Sequence, residues 1–268
     1  MAGVCLGAPL LAAAQGTASL EIRVQATPTQ GRPEKVMQHA FYLLRARLEA
    51  IEAQARAQTP APDLAAFVDG LKISPELKEW MKKNKTVTVQ GDDFISSLKV
   101  DDVMDVPEFR AAYAARNQAM VGLGFPKRKA KLTDREKNPA RWEASEKRYW
   151  SDVRSYLTLH PESKQGMDEH LLEITAATNW KNRQARYEQE VRQRALQLVH
   201  ARYLVAQADT DFEGVARFSG VPAGRYWLTN LWSEARAGDV RLQWELPVEL
   251  GAGQSSYLEL SNANARLP

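Results

Sequence analysis

Three short spacings in this chain match ones that metal sites or reactions use. Asp209, Asp211 and Glu213 stand at alternate positions before Gly214, as oxygen ligands do at the start of a calcium loop. The bidentate carboxylate that closes such a loop would fall at position 220, which is glycine. The three acids are candidate ligands of a weak calcium site, against the plainer reading of a turn whose carboxylates bond nearby backbone N–H groups. Ser96 and Lys99 form S-x-x-K, the acyl-enzyme spacing of penicillin-binding proteins. The companion S-D-N and K-T-G elements are missing, and Lys85-Thr86-Val87 lacks the glycine that lets substrate lie against a strand. His170 and Glu173 give H-x-x-E, but a catalytic zinc needs three protein ligands and an open position. The other histidines, His39, His160 and His200, do not cluster with them along the chain. Neither a G-x-S-x-G, an H-E-x-x-H, a P-loop nor a Rossmann fingerprint occurs. No catalytic residue and no cofactor is expected from these spacings.

A fourth stretch speaks for binding. Residues 127–148 carry nine Lys and Arg against four Asp and Glu. Lys127, Arg128, Lys129, Lys131 and Trp142 from this stretch are candidate contacts to an anionic polymer such as a cell-envelope polysaccharide, by charge and aromatic stacking. The alternative is a solvated loop leading into a helix at Pro139. Trp227 joins the candidates because alternation puts it opposite Tyr226, on the outer face of a strand.

The elements that position these residues come in two textures. Ala18 to Gln25 alternates Leu20, Ile22 and Val24 with Glu21 and Arg23, a half-buried strand. Val36 to Arg45 is a second strand. Residues 209–228 read as a strand pair: turn chemistry before Gly214, then Ala216 and Phe218 on one face, a turn at Pro222-Ala223-Gly224, and Tyr226 and Leu228 resuming the apolar face. Asp239 to Leu250 alternates Val240, Leu242, Trp244 and Leu246 against Arg241, Gln243 and Glu245. Between lie helical patterns at 48–58, 62–71, 74–83 (Ser74 as N-cap, Pro75 at N1), 91–117, 139–159 and 179–200, with residues 121–139 as a long loop.

The run D-x-D-x-x-G-x-x-x-F-x-x-V-P-x-G-x-Y-x-L from Asp209 to Leu228 resembles the central hairpin of carboxypeptidase regulatory-like domains, a match of about twenty residues. The resemblance implies an α+β chain: an antiparallel prealbumin-like β-sandwich, residues 17–45 with 202–264, interrupted by an α-helical insertion at 46–201. Insertion at an exposed loop is easy when its ends lie close together. Such domains are common as accessory modules of secreted bacterial proteins, and the resemblance transfers no catalytic residue.

Compartment follows from the other end of the chain. Val4 to Ala14 is a short apolar run ending in Ala12-Ala13-Ala14, the pattern of a secretory signal peptide at 1–14 and too short to span a bilayer. No basic residues precede it, which leaves open a start upstream of Met1 or a trimmed N-terminus. A hydrophobic first strand is the competing reading. Cys5, the single cysteine, has Val4 before it where a lipoprotein needs a small residue. A mature chain from Gln15 would have no cysteine, hence no disulfide and no thiolate chemistry. Net charge is +3, which gives no global field for nucleic acid. The expected protein is secreted or periplasmic, without a transmembrane segment, and binds or scaffolds a protein or cell-envelope component without catalysis. The alternatives are a hydrolase with a site at the junction of insertion and sandwich, and a carbohydrate-binding module using Trp227 and the basic stretch.

Overall fold

A computed structural model describes residues 16–266; the expected signal segment and Cys5 lie outside them. The chain is α+β and divides into two compact units. Of the described residues, one takes 16–60 and 189–266, the other 61–188.

The first unit opens with β1 (Thr17–Ala26), whose even positions from Ala18 to Ala26 are buried and whose odd positions face outward, as a two-residue period requires. Then come β2 (Glu34–Lys35), β3 (Ala40–Leu44) and helix α1 (Leu48–Gln58). The second unit holds α2 (Leu64–Asp69), α3 (Pro75–Asn84), α4 (Asp92–Ser97), α5 (Val100–Asp105), α6 (Pro107–Asn117), α7 (Leu132–Lys137) and α8 (Pro139–Leu159). Helix α9 (Ala176–Leu198) crosses the division, and β4 (Leu204–Asp209), β5 (Val215–Pro222), β6 (Gly224–Thr229), β7 (Ala235–Ala237), β8 (Val240–Leu242), β9 (Glu245–Leu250) and β10 (Ser255–Leu260) complete the chain.

The strands build two main sheets. In one, β1 is central, parallel to β10 (Ile22 opposite Leu258) and antiparallel to β5 (Ile22 opposite Ala216). In the other the order is β4-β3-β6-β9, antiparallel throughout. The inward residues of both, including Leu20, Ile22, Phe41, Leu43, Phe218 and Leu228, fall in one core cluster around Trp244.

Residues 209–228 do not form a strand pair. β5 joins β1 in one sheet and β6 joins β3 and β9 in the other, so Pro222-Ala223-Gly224 is a corner between sheets. Pro222 has no N–H to give a ladder, and the Tyr226 hydroxyl donates to the Pro222 carbonyl across the corner at 2.8 Å. The expected faces hold nevertheless, since Ala216, Phe218, Tyr226 and Leu228 all reach the same core.

One further expectation is corrected. Residues 121–139 are not all loop, because α7 lies within them. Beside the expected boundaries at 46 and 201, the two compact units divide after 60 and after 188, and α1 is bonded to neighbouring segments of the strand unit. Trp232 Nε1 donates to Glu52 at 2.5 Å and Tyr203 Oη donates to Gln54 at 2.7 Å. Glu245 faces away from the core by alternation yet is buried. Its Oε1 accepts the Leu48 N–H at 2.6 Å and its Oε2 meets Arg266 Nη1 at 2.7 Å. Arg47, at the N-cap of α1, makes no side-chain cap, so a carboxylate from β9 satisfies one of the donors a helix start leaves free.

At the loops beside β3 and β6, the buried Asn230 donates to the Ser233 carbonyl at 2.6 Å and accepts from Trp244 N at 2.8 Å. The same amide nitrogen lies 3.1 Å from His39 Nε2, a contact that needs Nε2 unprotonated. Burial pushes the His39 pKa below its usual 6.5.

The helical unit has its own core, centred on Trp80, Phe94, Phe109 and Tyr113. The Trp80 ring meets Phe109 edge-on at 5.0 Å and Phe94 at 5.8 Å, the geometry aromatic quadrupoles prefer. Ser74 caps α3 as expected, accepting from Leu77 N at 3.1 Å. Tyr113 hydrogen-bonds Ser163 at 2.6 Å, and burial pushes its phenol up to about 12.

Candidate functional site

Helix α6 starts on Pro107 and buries Phe109, Ala112, Tyr113 and Asn117, the repeat of an amphipathic helix. Its other face carries Ala111, Ala114 and Ala115, with Ala111 and Ala115 exposed. Surface helices ordinarily cover that face with long polar side chains. Alanine leaves the backbone bare, so another chain can approach to the short end of helix-packing distances, ~8 Å.

Depressions follow one another along this face. One of about 630 Å³ lies between Ala111, Ala115 and Val121 and the wall of Phe125, Arg128 and Trp150. The next, about 340 Å³, shares Ala111 and Ala115 and is bordered by His170, Leu171 and Glu173. A third, about 370 Å³, shares Glu108, Glu173 and Ile174 with the second and reaches Lys72 and Asn179. They form a groove along α6, whose 11 residues make ~16 Å of helix at 1.5 Å per residue.

The two ends differ in charge. At the C-terminal end of α6, the Arg128 guanidinium lies over Tyr149 at 4.8 Å and Trp150 at 5.6 Å, with its Nε 3.0 Å from Glu146. Arg110 stacks on Trp150 at 4.9 Å. Cations over ring faces are held by the ring quadrupole, and a stacked guanidinium keeps its N–H edge free for a carboxylate or phosphate. Among the described residues, Arg110 and Lys127 are paired with no carboxylate. Burial pushes the Tyr149 phenol up, against the pull of Arg128. At the other end Glu108 is already engaged: its oxygens accept from Ser74 N at 2.8 Å and Ser74 Oγ at 2.6 Å. His170 and Glu173 border the groove but gain no third ligand. Among the described residues no group of three or more His, Cys, Asp or Glu is placed to hold a metal ion.

Of the residues singled out from the sequence, Lys127 and Arg128 line the groove. Lys129 and Lys131 are exposed beyond it and Trp142 is half-buried on α8. Trp150 is the aromatic the cations use, and its signal was its place beside Tyr149 on the apolar face of α8. The alanine floor carries no chemical signature in sequence. Trp227 belongs to the other unit, is half-buried, and has the Arg47 guanidinium over its ring at 5.0 Å. Asp211 and Glu213 of the three acids at 209, 211 and 213 turn to separate partners. Asp211 Oδ1 accepts from Val215 N and Glu213 N, each at 2.9 Å, and Glu213 pairs with Lys35 at 2.5 Å. The Val215 N–H bond comes first in holding the Asp211 carboxyl below its usual range. Ser96 lies in α4 and Lys99 caps α5, both exposed. No described helix is long and apolar enough to cross a membrane.

Compared with protein-family models, with curated proteins and with solved structures, the chain finds no match.

Proposed function

We propose that this chain is a non-catalytic binding and scaffolding protein, secreted or held at the cell envelope, whose helical unit receives a protein partner along α6. The observation that carries the reading is the bare alanine floor of the groove, walled by aromatics whose faces are covered by arginines. Such a floor suits close approach by another backbone. An enzyme site would instead bring titratable groups together, and Glu108, the best-placed carboxylate, is spent on capping α3. The free cations Arg110 and Lys127 favour a partner segment that carries acidic side chains.

The strand unit supports the architectural half of the proposal. Two sheets share one core and Tyr226 pins the corner between them, which is compatible with a prealbumin-like β-sandwich of the carboxypeptidase regulatory-like kind. The helical unit, residues 61–188, is then the insertion.

Co-sedimentation with bacterial cell envelopes, untreated or stripped by protease, tests the reading. Binding that vanishes after stripping and is lost in an Ala111→Arg, Ala115→Arg variant supports a protein partner in the groove. Both positions are exposed on a helix where arginine is well tolerated, so circular dichroism should show an unchanged fold. Binding that survives stripping, or that the double variant retains, refutes it.

A further inference from the structure

Residues 118–137 are ordered without a core of their own. The 3₁₀ turn at Gln118–Leu123 and helix α7 bury no residue, and Phe125 is the one buried side chain between and including them. Local bonds hold the segment: Phe125 N donates to Met120 O at 3.1 Å, Lys131 N to Asp134 Oδ2 at 3.0 Å, and Asn138 N to Asp134 O at 2.8 Å. Onto this frame the chain sets large apolar side chains facing water. Leu123 is 76% exposed, Leu132 78% and Met120 40%. Cations lie among them along the chain. Lys127, Lys129, Lys131, Arg135 and Lys137 make no ion pair among the described residues, and Arg128 alone of the run is neutralised, by Glu146. Asp134 and Glu136 are the only acids between 120 and 137, and Asp134 is spent as a cap.

Unpaired cations and bare leucines on one segment share a single good environment, the headgroup boundary of an anionic bilayer. Charge draws the lysines to the surface, and the leucines pass below the headgroups. A soluble acidic polymer would satisfy the cations and leave the leucines in water. We infer that residues 118–137 form a peripheral docking surface for anionic lipid, with Leu123 and Leu132 as inserting side chains and Lys129, Lys131 and Arg135 as its charge ring. The segment also walls the α6 groove through Val121, Phe125, Lys127 and Arg128, but Leu123, Leu132, Lys129, Lys131 and Arg135 are not among the groove-lining residues, so failure of the lipid test would leave the groove reading untouched.

Sedimentation of the full chain with vesicles of phosphatidylcholine and phosphatidylglycerol (2:1), and with phosphatidylcholine alone, tests it. Binding is expected to the anionic vesicles only, and to fall steeply with salt. Replacing Lys129, Lys131 and Arg135 by Ala should weaken it on the order of a hundredfold, about fivefold per cation near the surface. Leu123→Ser with Leu132→Ser should weaken it on the order of tenfold, since the apolar contribution scales with buried side-chain area. All five positions are exposed, so thermal melts should not move. Equal binding to neutral vesicles, or no binding to anionic ones, would overturn the inference. So would anionic binding that the leucine pair leaves unchanged and that soluble polyglutamate competes away, because that outcome is charge alone.

Discussion

Glu245 offers the sharpest test of how the strand unit holds its helix. Its side chain is 2% exposed, between the Leu48 N–H of α1 at 2.6 Å and Arg266 at 2.7 Å. Glu245→Ala orphans the Leu48 donor, which costs about 1–3 kcal/mol, and leaves a small void worth roughly 1 kcal/mol. Arg266 is 52% exposed, so its charge turns to water and adds little, as half-exposed pairs do. The sum is ~3 kcal/mol, with the donor term the largest. Glu245→Gln keeps an acceptor for Leu48 and loses only the negative charge at the helix start, about 1 kcal/mol. Two compact units would blur a single denaturation midpoint, so amide hydrogen exchange of Leu48 and Ile51 is the better readout. The expected order of protection is wild type, then Gln, then Ala. An alanine variant within ~0.5 kcal/mol of wild type, the range of ordinary surface changes, would refute the capping account. So would a glutamine variant as weak as alanine.

The other predictions concern the same unit. Tyr226→Phe removes the bond to the Pro222 carbonyl and should lower stability by about 1 kcal/mol in urea titrations. His39 has its pKa depressed by burial, so the unfolded chain binds the extra proton first. Stability from this group is full above pH 6.5 and declines as pH falls through the lowered folded pKa, and His39→Gln should flatten that slope in pH-dependent melts. Asp211 is likewise depressed, so its contribution is present above its ordinary range and fades in acid as pH falls through the folded value; Asp211→Ala should remove that fading. Because its Oδ1 accepts two backbone N–H groups, millimolar calcium should not shift the melting temperature, and a clear rise would revive the metal reading.

Much of this was legible from residue types. The period of β1, the start of α1 at Leu48 and the Ser74-Pro75 entry to α3 are local signals, and the structure bears them out. Partners are not local. Alternation places Ala216 and Leu228 inward but cannot tell that β5 and β6 belong to different sheets, because both arrangements bury the same residues. Glu245 faced outward by the same rule, and only the helix laid over it turned that face into an interior. In the groove the sequence pointed to Lys127 and Arg128 through their charge. It was silent about Ala111 and Ala115, whose role is to be small, and about α7, which no apolar period announces.

The sheet around β1 also dictates an order of events. β1 pairs early only with the two residues of β2, while its main neighbours are residues 215–222 and 255–260, so most of its backbone edges stay unpaired while most of the chain is made. Residues 61–188 close among themselves and can be finished long before. Contacts of such sequence separation fold slowly and expose strand edges meanwhile. The helical unit is thus a folded body carried inside an unfolded loop, and a holding chaperone acting on this chain would meet β1 rather than the helices.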